Sequence, residues 1–258
     1  IYNTIDSKEI KAVTKVLKSG VLSAFLGASG KSSLGGKEVR AFENKAKKYF
    51  GVKHAITVNS WTSGLVAAVG ALGAEPGDEI ITTPWTMAAT ATAILHWNLI
   101  PVFADIDPFT YNIDPDSVEK LINKNTRAIL AVDIFGQSAD MDKLKKLSKK
   151  YGIKIISDTA QSPGVFYKKA YAGTTADIGG FSLNYHKHIH CGEGGILVTN
   201  DDILADKMRL IRNHAEVVVD RKISKKKLPN MLGHNFRMGE IEAAIATIQL
   251  QKLKKNVK

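Results

Sequence analysis

Short apolar runs rich in β-branched residues alternate with amphipathic helical segments along most of this chain. Residues 54–58, 127–132 and 153–157 have the length and composition of buried strands, whereas residues 62–72 and 141–151 repeat apolar side chains with helical spacing. Strands that alternate with helices in this order form a mostly parallel sheet with helices packed on both faces. The pattern therefore predicts an α/β protein with three layers, helix on sheet on helix, in one domain.

The composition indicates an ordinary globular protein. Hydrophobic residues make up 44% of the 258 residues, and none of the apolar runs approaches the roughly 20 residues that span a bilayer. No charged-then-apolar leader opens the sequence. Cys191 is the only cysteine, which excludes an internal disulfide and fits a reducing compartment. We therefore predict a cytoplasmic protein.

The net charge of +11 is high, and the basic residues are concentrated in two segments, 221–227 and 252–258. The first segment has the composition of an exposed loop, and the second that of the polar end of a helix. Neither interleaves aromatic residues, which proteins use to stack nucleic acid bases. We interpret the excess as a solvated lysine-rich surface, with attraction of anionic small molecules as the alternative. No nucleic acid or membrane partner is predicted.

A carboxylate, a lysine and a glycine-rich turn follow one another in the second half of the chain. Asp158 directly follows the predicted strand at 153–157, and ligands of parallel sheets bind beyond such strand ends. Lys187 has few charged neighbours and precedes the sequence Gly-Glu-Gly-Gly at 192–195. Pyridoxal phosphate (PLP) enzymes need a lysine for the cofactor aldehyde and a carboxylate for the protonated ring nitrogen. The pattern indicates such an enzyme, with Lys187 and Asp158 as catalytic residues.

The polar segment at 59–64 stands between a predicted strand and a predicted helix. Helix N-termini bind phosphate through backbone N–H groups, and the hydroxyls of Thr62 and Ser63 would add to such a site. Serine and threonine also cap ordinary helices, so this signal is weak by itself. Ser182 would supply another hydroxyl, and Gln161 could reach the phenolic oxygen of the cofactor.

Three histidines at alternate positions allow a different interpretation. On an extended strand His186, His188 and His190 would share one face, and three imidazoles on one face can bind zinc. This alternative predicts a zinc-binding domain and gives Lys187 no role. The main prediction assigns no metal ligand, and places these histidines around a site for an anionic substrate.

With these motifs in place, the chain resembles the DegT/StrS family of sugar aminotransferases, which are PLP enzymes of fold type I. The most specific element is Lys187 at its five-residue offset before residues 192–195. The other segments that carry the resemblance are Gly36-Lys37-Glu38-Val39, Asn59-Ser60-Trp61-Thr62-Ser63, Thr83-Pro84-Trp85-Thr86-Met87, Asp105-Ile106-Asp107-Pro108, Phe135-Gly136-Gln137, Asp158-Thr159-Ala160-Gln161, Phe181-Ser182 and Gly233-His234-Asn235-Phe236-Arg237-Met238.

The resemblance implies a role for each candidate residue. Lys187 would hold PLP, or act beside its amine form PMP, and move protons, while Asp158 would hold the ring nitrogen. Asn235 would reach the cofactor phosphate of a neighbouring subunit, which implies a homodimer with shared active sites. The remaining contacts would come from Thr62, Ser63 and Ser182 to the phosphate, Gln161, Trp85 and Met87 to the ring, and Tyr185, His186 and His188 to the substrate.

The chain also departs from the family pattern. Trp61 stands in the phosphate-binding turn where glycine is usual, and Met87 stands where an aromatic residue is expected to stack on the ring. Members of the family continue into a smaller C-terminal domain. We therefore expect residues 1–258 to form the PLP-binding large domain, with the small domain absent from this chain.

The implied reaction transfers an amino group from an amino acid, by preference glutamate, to a keto or aldehyde sugar in the synthesis of cell-surface polysaccharides or antibiotic sugars. Residues 185–190 resemble the subgroup that aminates an eight-carbon keto-acid sugar related to Kdo, an octulosonate of lipopolysaccharide. A PLP-dependent deoxysugar dehydratase is the alternative within the fold. Those enzymes carry histidine in place of the lysine, so Lys187 argues against it.

Overall fold

The computed structural model describes residues 3–27, 31–215 and 231–257. The basic segment at 221–227 and Lys258 lie outside the described residues. The strands are β1 (His54–Val58), β2 (Glu79–Thr82), β3 (Ile100–Phe103), β4 (Thr126–Val132), β5 (Lys154–Asp158), β6 (Phe166–Tyr167), β7 (Ala170–Tyr171), β8 (Ile178–Ser182) and β9 (Gly195–Thr199). The helices are α1 (Ser7–Ser19), α2 (Lys37–Phe50), α3 (Trp61–Leu72), α4 (Ala88–Leu95), α5 (Pro115–Leu121), α6 (Met141–Tyr151), α7 (Asp202–Arg212) and α8 (Glu240–Asn256), with short 3-10 helices at Lys31–Leu34 and Ile134–Gly136.

Seven strands form one central sheet in the order β1-β9-β8-β5-β4-β2-β3. The pairs from β8 to β3 are all parallel, and β9 runs antiparallel to both of its neighbours. The predicted mostly parallel α/β sheet is therefore confirmed. β6 and β7 form a separate two-residue hairpin, which is too short to produce a recognisable alternation in the sequence.

Helices cover both faces of this sheet. Along β4, Ala128 and Leu130 belong to one buried apolar cluster, while Ile129 and Ala131 belong to another. Successive residues of a strand point to opposite faces, so both faces of β4 are packed. The first cluster also contains residues of α3, α4 and α7, and the second contains residues of α5 and α6.

The ends of several helices follow the predicted signals. Asp6 caps α1 in a capping box with Glu9, and Gly20 ends the helix with φ of 70°. Gly51 ends α2 in the same left-handed conformation, with φ of 67°. Residues 86–97 have a sequence typical of a helix, but α4 is shorter than this segment, because Met87 has extended backbone angles and α4 begins after it.

Two surface features differ from what the sequence pattern indicates. Of the apolar residues that recur with helical spacing in α1, only Val16 is buried, while Ile10 and Leu17 are exposed in the described part of the chain. Lys252 was expected at a solvated helix end, but its side chain is 17% exposed and forms an ion pair of 2.6 Å with the buried Glu9. Lys252 thus joins α8 to α1. Among the described residues, no helix combines the length and the apolar character that crossing a bilayer requires.

A buried ion pair ties α7 to α2 and β1. The guanidinium of Arg212, which is fully buried, donates through Nη1 to Oε1 of Glu43 at 2.6 Å. The same nitrogen donates to the carbonyl of Thr57, and the ring of Phe25 lies 4.8 Å from the guanidinium carbon. Removing one partner of such a pair leaves an uncompensated buried charge.

We predict that Glu43→Ala lowers the free energy of unfolding by about 3–5 kcal/mol, because Arg212 stays buried without its carboxylate. Urea unfolding followed by circular dichroism measures the change. Glu119→Ala is the matched control, because it removes an exposed carboxylate that pairs with Lys150 at 2.7 Å. The control should leave the unfolding free energy nearly unchanged. An equal decrease in the unfolding free energy of both variants would contradict the larger contribution that we assign to the buried pair.

Candidate active site

Asp158 ends β5 at the edge of the sheet where the parallel strands have their carboxyl ends. Its side chain is buried, and three neutral donors contact it. The indole Nε1 of Trp61 donates to Oδ1 at 2.6 Å, the hydroxyl of Thr90 donates to Oδ2 at 2.9 Å, and the N–H of Ala160 donates to Oδ1 at 3.2 Å. Burial raises the pKa of Asp158, and these donors, together with the positive charge of Lys187, act in the opposite direction.

Lys187 lies on the segment of turns and bends between β8 and β9, and its side chain is half-buried. Burial lowers the pKa of Lys187, and the charge of Asp158 partly offsets this effect. The ammonium makes no hydrogen bond or ion pair with any described residue. The two predicted catalytic residues are therefore close enough for each to influence the ionisation of the other.

The glycines at 192–195 bring this segment against the start of α3. Gly192 has φ of 91°, a conformation that other residues rarely adopt. A β-carbon on Gly195 would lie 2.9 Å from the backbone nitrogen of Trp61 and 3.0 Å from the carbonyl carbon of Ser60. Only a glycine allows β9 to approach the helix N-terminus this closely.

Two serine hydroxyls lie at this helix N-terminus, and a third belongs to the adjacent strand β8. Ser60 is the N-cap of α3, and its Oγ accepts the N–H of Ser63 and lies 2.9 Å from the hydroxyl of Ser63. Ser182 is buried at the end of β8, opposite Gly195 in the β8–β9 register. The predicted Thr62 is in the first turn and is exposed. Backbone N–H groups and hydroxyls in this arrangement suit a phosphate.

Other predicted site residues have weaker ties to this centre. The side-chain oxygen of Gln161 accepts the N–H of Phe135 at 3.1 Å, which leaves its amide nitrogen for another partner. Trp85 and Met87 are exposed. Asn235 is also exposed, and its Oδ1 accepts from the guanidinium of Arg237 at 2.8 Å. Within the described ranges, no hydrogen bond or ring contact joins these four predicted residues to Asp158 or Lys187.

The described residues do not have the geometry that the zinc alternative requires. The segment that carries the three histidines consists of turns and bends, so alternate residues do not share a strand face. His186 and His188 are exposed, as is Tyr185, whereas His190 is half-buried, with Nε2 3.1 Å from the hydroxyl of Thr4. Among the described residues, no group of three histidine, cysteine or acidic side chains is arranged to hold a metal ion.

Sequence reasoning missed two groups beside the centre. Thr90, on α4, had no local signal. Asp133 follows β4 just as Asp158 ends β5, so the strand-end argument could have found it. Asp133 is fully buried and accepts from the hydroxyls of Ser157 at 3.0 Å and Thr159 at 2.7 Å, and burial raises its pKa.

Comparison with known proteins identifies relatives of this chain. SpsC of Bacillus subtilis, a spore coat polysaccharide biosynthesis protein, is 36% identical over 254 residues, which cover 96% of this chain and 62% of SpsC. The solved structure of PseC, the Helicobacter pylori aminotransferase involved in pseudoaminic acid biosynthesis, has a TM-score of 0.84 at 36% identity and covers 97% of this chain. The chain spans 64% of PseC, and thus less than two thirds of either relative.

A third relative is a GDP-4-keto-6-deoxymannose-3-dehydratase solved with a trapped PLP-glutamate geminal diamine. It has a TM-score of 0.86 at 29% identity, and covers 98% of this chain and 68% of that one. The prediction that this family uses PLP is confirmed. The sequence pattern of one family matches residues 3–258. The chain therefore belongs to the DegT/DnrJ/EryC1/StrS aminotransferase family.

Proposed function

We propose that this protein is a PLP-dependent aminotransferase that moves an amino group from an amino acid to a keto or aldehyde sugar. The observation that carries the proposal is the proximity of Asp158 and Lys187, whose charges act on each other's pKa. Asp158 is a buried carboxylate whose hydrogen bonds come from neutral donors, and Lys187 is a half-buried amine without a described partner.

The residues of the site fit the cofactor. A buried carboxylate is stable when a cation completes its surroundings, and the protonated ring nitrogen of PLP is such a cation. The hydroxyls of Ser60, Ser63 and Ser182, with the N-terminus of α3, suit its phosphate. When bound, the cofactor supplies an electron sink that stabilises negative charge on the carbon next to the transferred nitrogen.

Lys187 supplies the amine and moves the proton. Because burial lowers the pKa of Lys187, the neutral fraction of its amine at a given pH is larger than that of an exposed lysine. A neutral amine can bond to the cofactor aldehyde and can accept a proton from the substrate carbon as a general base. The three donors to Asp158 stabilise its charged form against the effect of burial, and Asp158 would anchor the ring nitrogen.

Amino transfer is favoured over dehydration by the position of the lysine. By the family resemblance, dehydratases carry histidine at this position, and here His186 and His188 are the neighbours that could take that role. Both are exposed, whereas Lys187 is half-buried and interacts electrostatically with Asp158. The site thus presents an amine to the cofactor region.

The acceptor is proposed to be a nucleotide-linked sugar or a Kdo-type octulosonate, and the donor glutamate. The dehydratase relative acts on a GDP-linked keto sugar, and SpsC is named for polysaccharide synthesis. The exposed His186 and His188 would suit an acceptor that carries a carboxylate. We further propose a cytoplasmic homodimer in which Asn235 contacts the partner's cofactor, with residues 1–258 as the large domain.

We expect that borohydride reduction of the protein with PLP attaches the cofactor permanently to Lys187, detected by peptide mass spectrometry. Lys187→Ala should lose this label, because no other described lysine combines burial with proximity to Asp158. Lys154→Ala is the control, since that exposed lysine pairs with Asp177 at 2.7 Å and should not affect labelling. Full labelling of the Lys187→Ala protein at another lysine would refute the assignment.

Asp158→Asn should lower turnover by about 100-fold or more, because a neutral amide cannot stabilise a protonated ring nitrogen. The measurement is transfer of ¹⁵N from glutamate to the sugar, with a nucleotide-linked keto sugar and a Kdo-type keto acid as alternative acceptors. The arm that gives product identifies the acceptor class. A sugar product that has lost a hydroxyl group without gaining nitrogen would instead indicate the dehydratase. Near-normal turnover of Asp158→Asn would contradict the role assigned to Asp158.

The electrostatic coupling can be tested without cofactor. Asp158 raises the pKa of Lys187, so Asp158→Asn should lower that pKa further and increase the neutral fraction of the amine at a fixed neutral pH. The rate at which acetic anhydride modifies Lys187 should then rise by about two- to tenfold. Asp177→Asn removes a carboxylate that pairs with Lys154 and should leave the rate at Lys187 unchanged. An unchanged rate in Asp158→Asn would show that the two groups are not coupled.

A further inference from the structure

Trp61 connects the first residue of α3 to the carboxylate at the end of β5. The indole is 5% exposed, and its Nε1 donates to Oδ1 of Asp158 at 2.6 Å across 97 residues of sequence. By the family resemblance, glycine is usual at the position of Trp61. Its side chain therefore reaches past the helix N-terminus into the carboxylate pocket.

Three glycines leave room for this indole. A β-carbon on Gly64 would lie 2.7 Å from Cε3 of Trp61, and one on Gly180 would collide with the same six-membered ring. Gly195 meets the backbone of Trp61. Gly180 is also the register partner of Asp158 in the β5–β8 pair, so the ring lies over the strand position beside the carboxylate. The surroundings of the indole are therefore shaped by glycines from α3, β8 and β9.

The hydrogen bond from Trp61 opposes the effect of burial on the ionisation of Asp158. A buried carboxyl group favours its neutral acid form, and a neutral acid cannot pair with a protonated heterocycle. No described lysine, arginine or histidine forms an ion pair with Asp158 within 4.0 Å. Hydrogen bonds from donors to a carboxylate stabilise the charged form, and those to charged groups are the stronger ones.

We propose that Trp61 is a positioning residue for Asp158: its indole N–H holds one carboxylate oxygen in place and stabilises the charged form of the group, which can pair with a protonated ring nitrogen. The identity of that ring rests on the proposed function, whereas the effect on Asp158 does not. The competing explanation is that Trp61 only fills space in the core, where it packs with Val58, Leu65 and their neighbours.

The test removes the N–H while keeping an aromatic ring. In cofactor-free protein with ¹³C-labelled aspartate, NMR follows the titration of the Asp158 carboxyl carbon, which is identified by its absence in Asp158→Asn. Trp61→Phe should increase the ratio of acid to carboxylate at Asp158, at a given pH, by about tenfold or more, because a hydrogen bond to a charged group is lost. Thr90→Val removes the donor to Oδ2 and should shift the titration in the same direction.

The matched control is Trp97→Phe. The Nε1 of Trp97 donates to the carbonyl of Val66 at 2.8 Å, and its ring packs against the same apolar cluster as Trp61, so this variant loses an equivalent N–H away from Asp158. It should leave the Asp158 titration unchanged. As a second measurement, equilibrium dialysis should give a dissociation constant for PLP that is about tenfold higher in Trp61→Phe than in Trp97→Phe.

The outcomes separate this proposal from the function on which it builds. A folded Trp61→Phe protein with an unchanged Asp158 titration would overturn the positioning role and support simple space filling. A shifted titration in a protein that never binds PLP would leave the role intact and refute the proposed function. Should Trp61→Phe fail to fold, benzothienylalanine at position 61 keeps the shape of indole but has sulfur in place of the N–H, and the same comparison applies.

Discussion

The buried carboxylate of Asp158 at the end of the central strand is the constraint on which the site depends. Burial favours the uncharged acid, so the charge survives only where other parts of the fold supply donors. Those donors come from α3 through Trp61, from α4 through Thr90 and from the following turn through Ala160. Because each donor belongs to a different element, the packing of two helices on one face of the sheet determines the state of a single carboxyl group.

A second buried carboxylate holds the backbone around the first. Asp133, at the end of the adjacent β4, accepts from Ser157 and Thr159, which flank Asp158 in sequence. The N–H of Asp133 donates to the carbonyl of Asp158, and Ser162 donates to the carbonyl of Asp133. These hydrogen bonds join the ends of β4 and β5 through neutral donors. The side chain of Asp158 takes no part in them and is directed to α3 and α4.

The lysine is held by a different set of contacts. Its segment is fastened on the C-terminal side of the lysine, because Asn256 of α8 donates to the carbonyl of His188 and Thr4 contacts His190. Next to these anchors Lys187 is half-buried, close enough to Asp158 for opposite charges to act on each other's pKa. The histidines that suggested a metal site thus serve partly as attachment points for the segment that carries the amine.

Local sequence was sufficient to predict most of the strands and helices and to select Asp158 and Lys187 as the candidate catalytic residues. Helical spacing, caps such as Asp6 and Gly20, and the strand-end position of Asp158 are properties of neighbouring residues, so they can be recognised without knowing how the chain packs. Only the tertiary structure decided that β9 runs antiparallel, that the apolar face of α1 stays largely exposed, and that the histidine segment is not a strand. It also decided that Trp61 and Thr90 meet Asp158 across 97 and 68 residues. Such contacts depend on how distant elements are packed, and the pattern of neighbouring residues does not encode that packing.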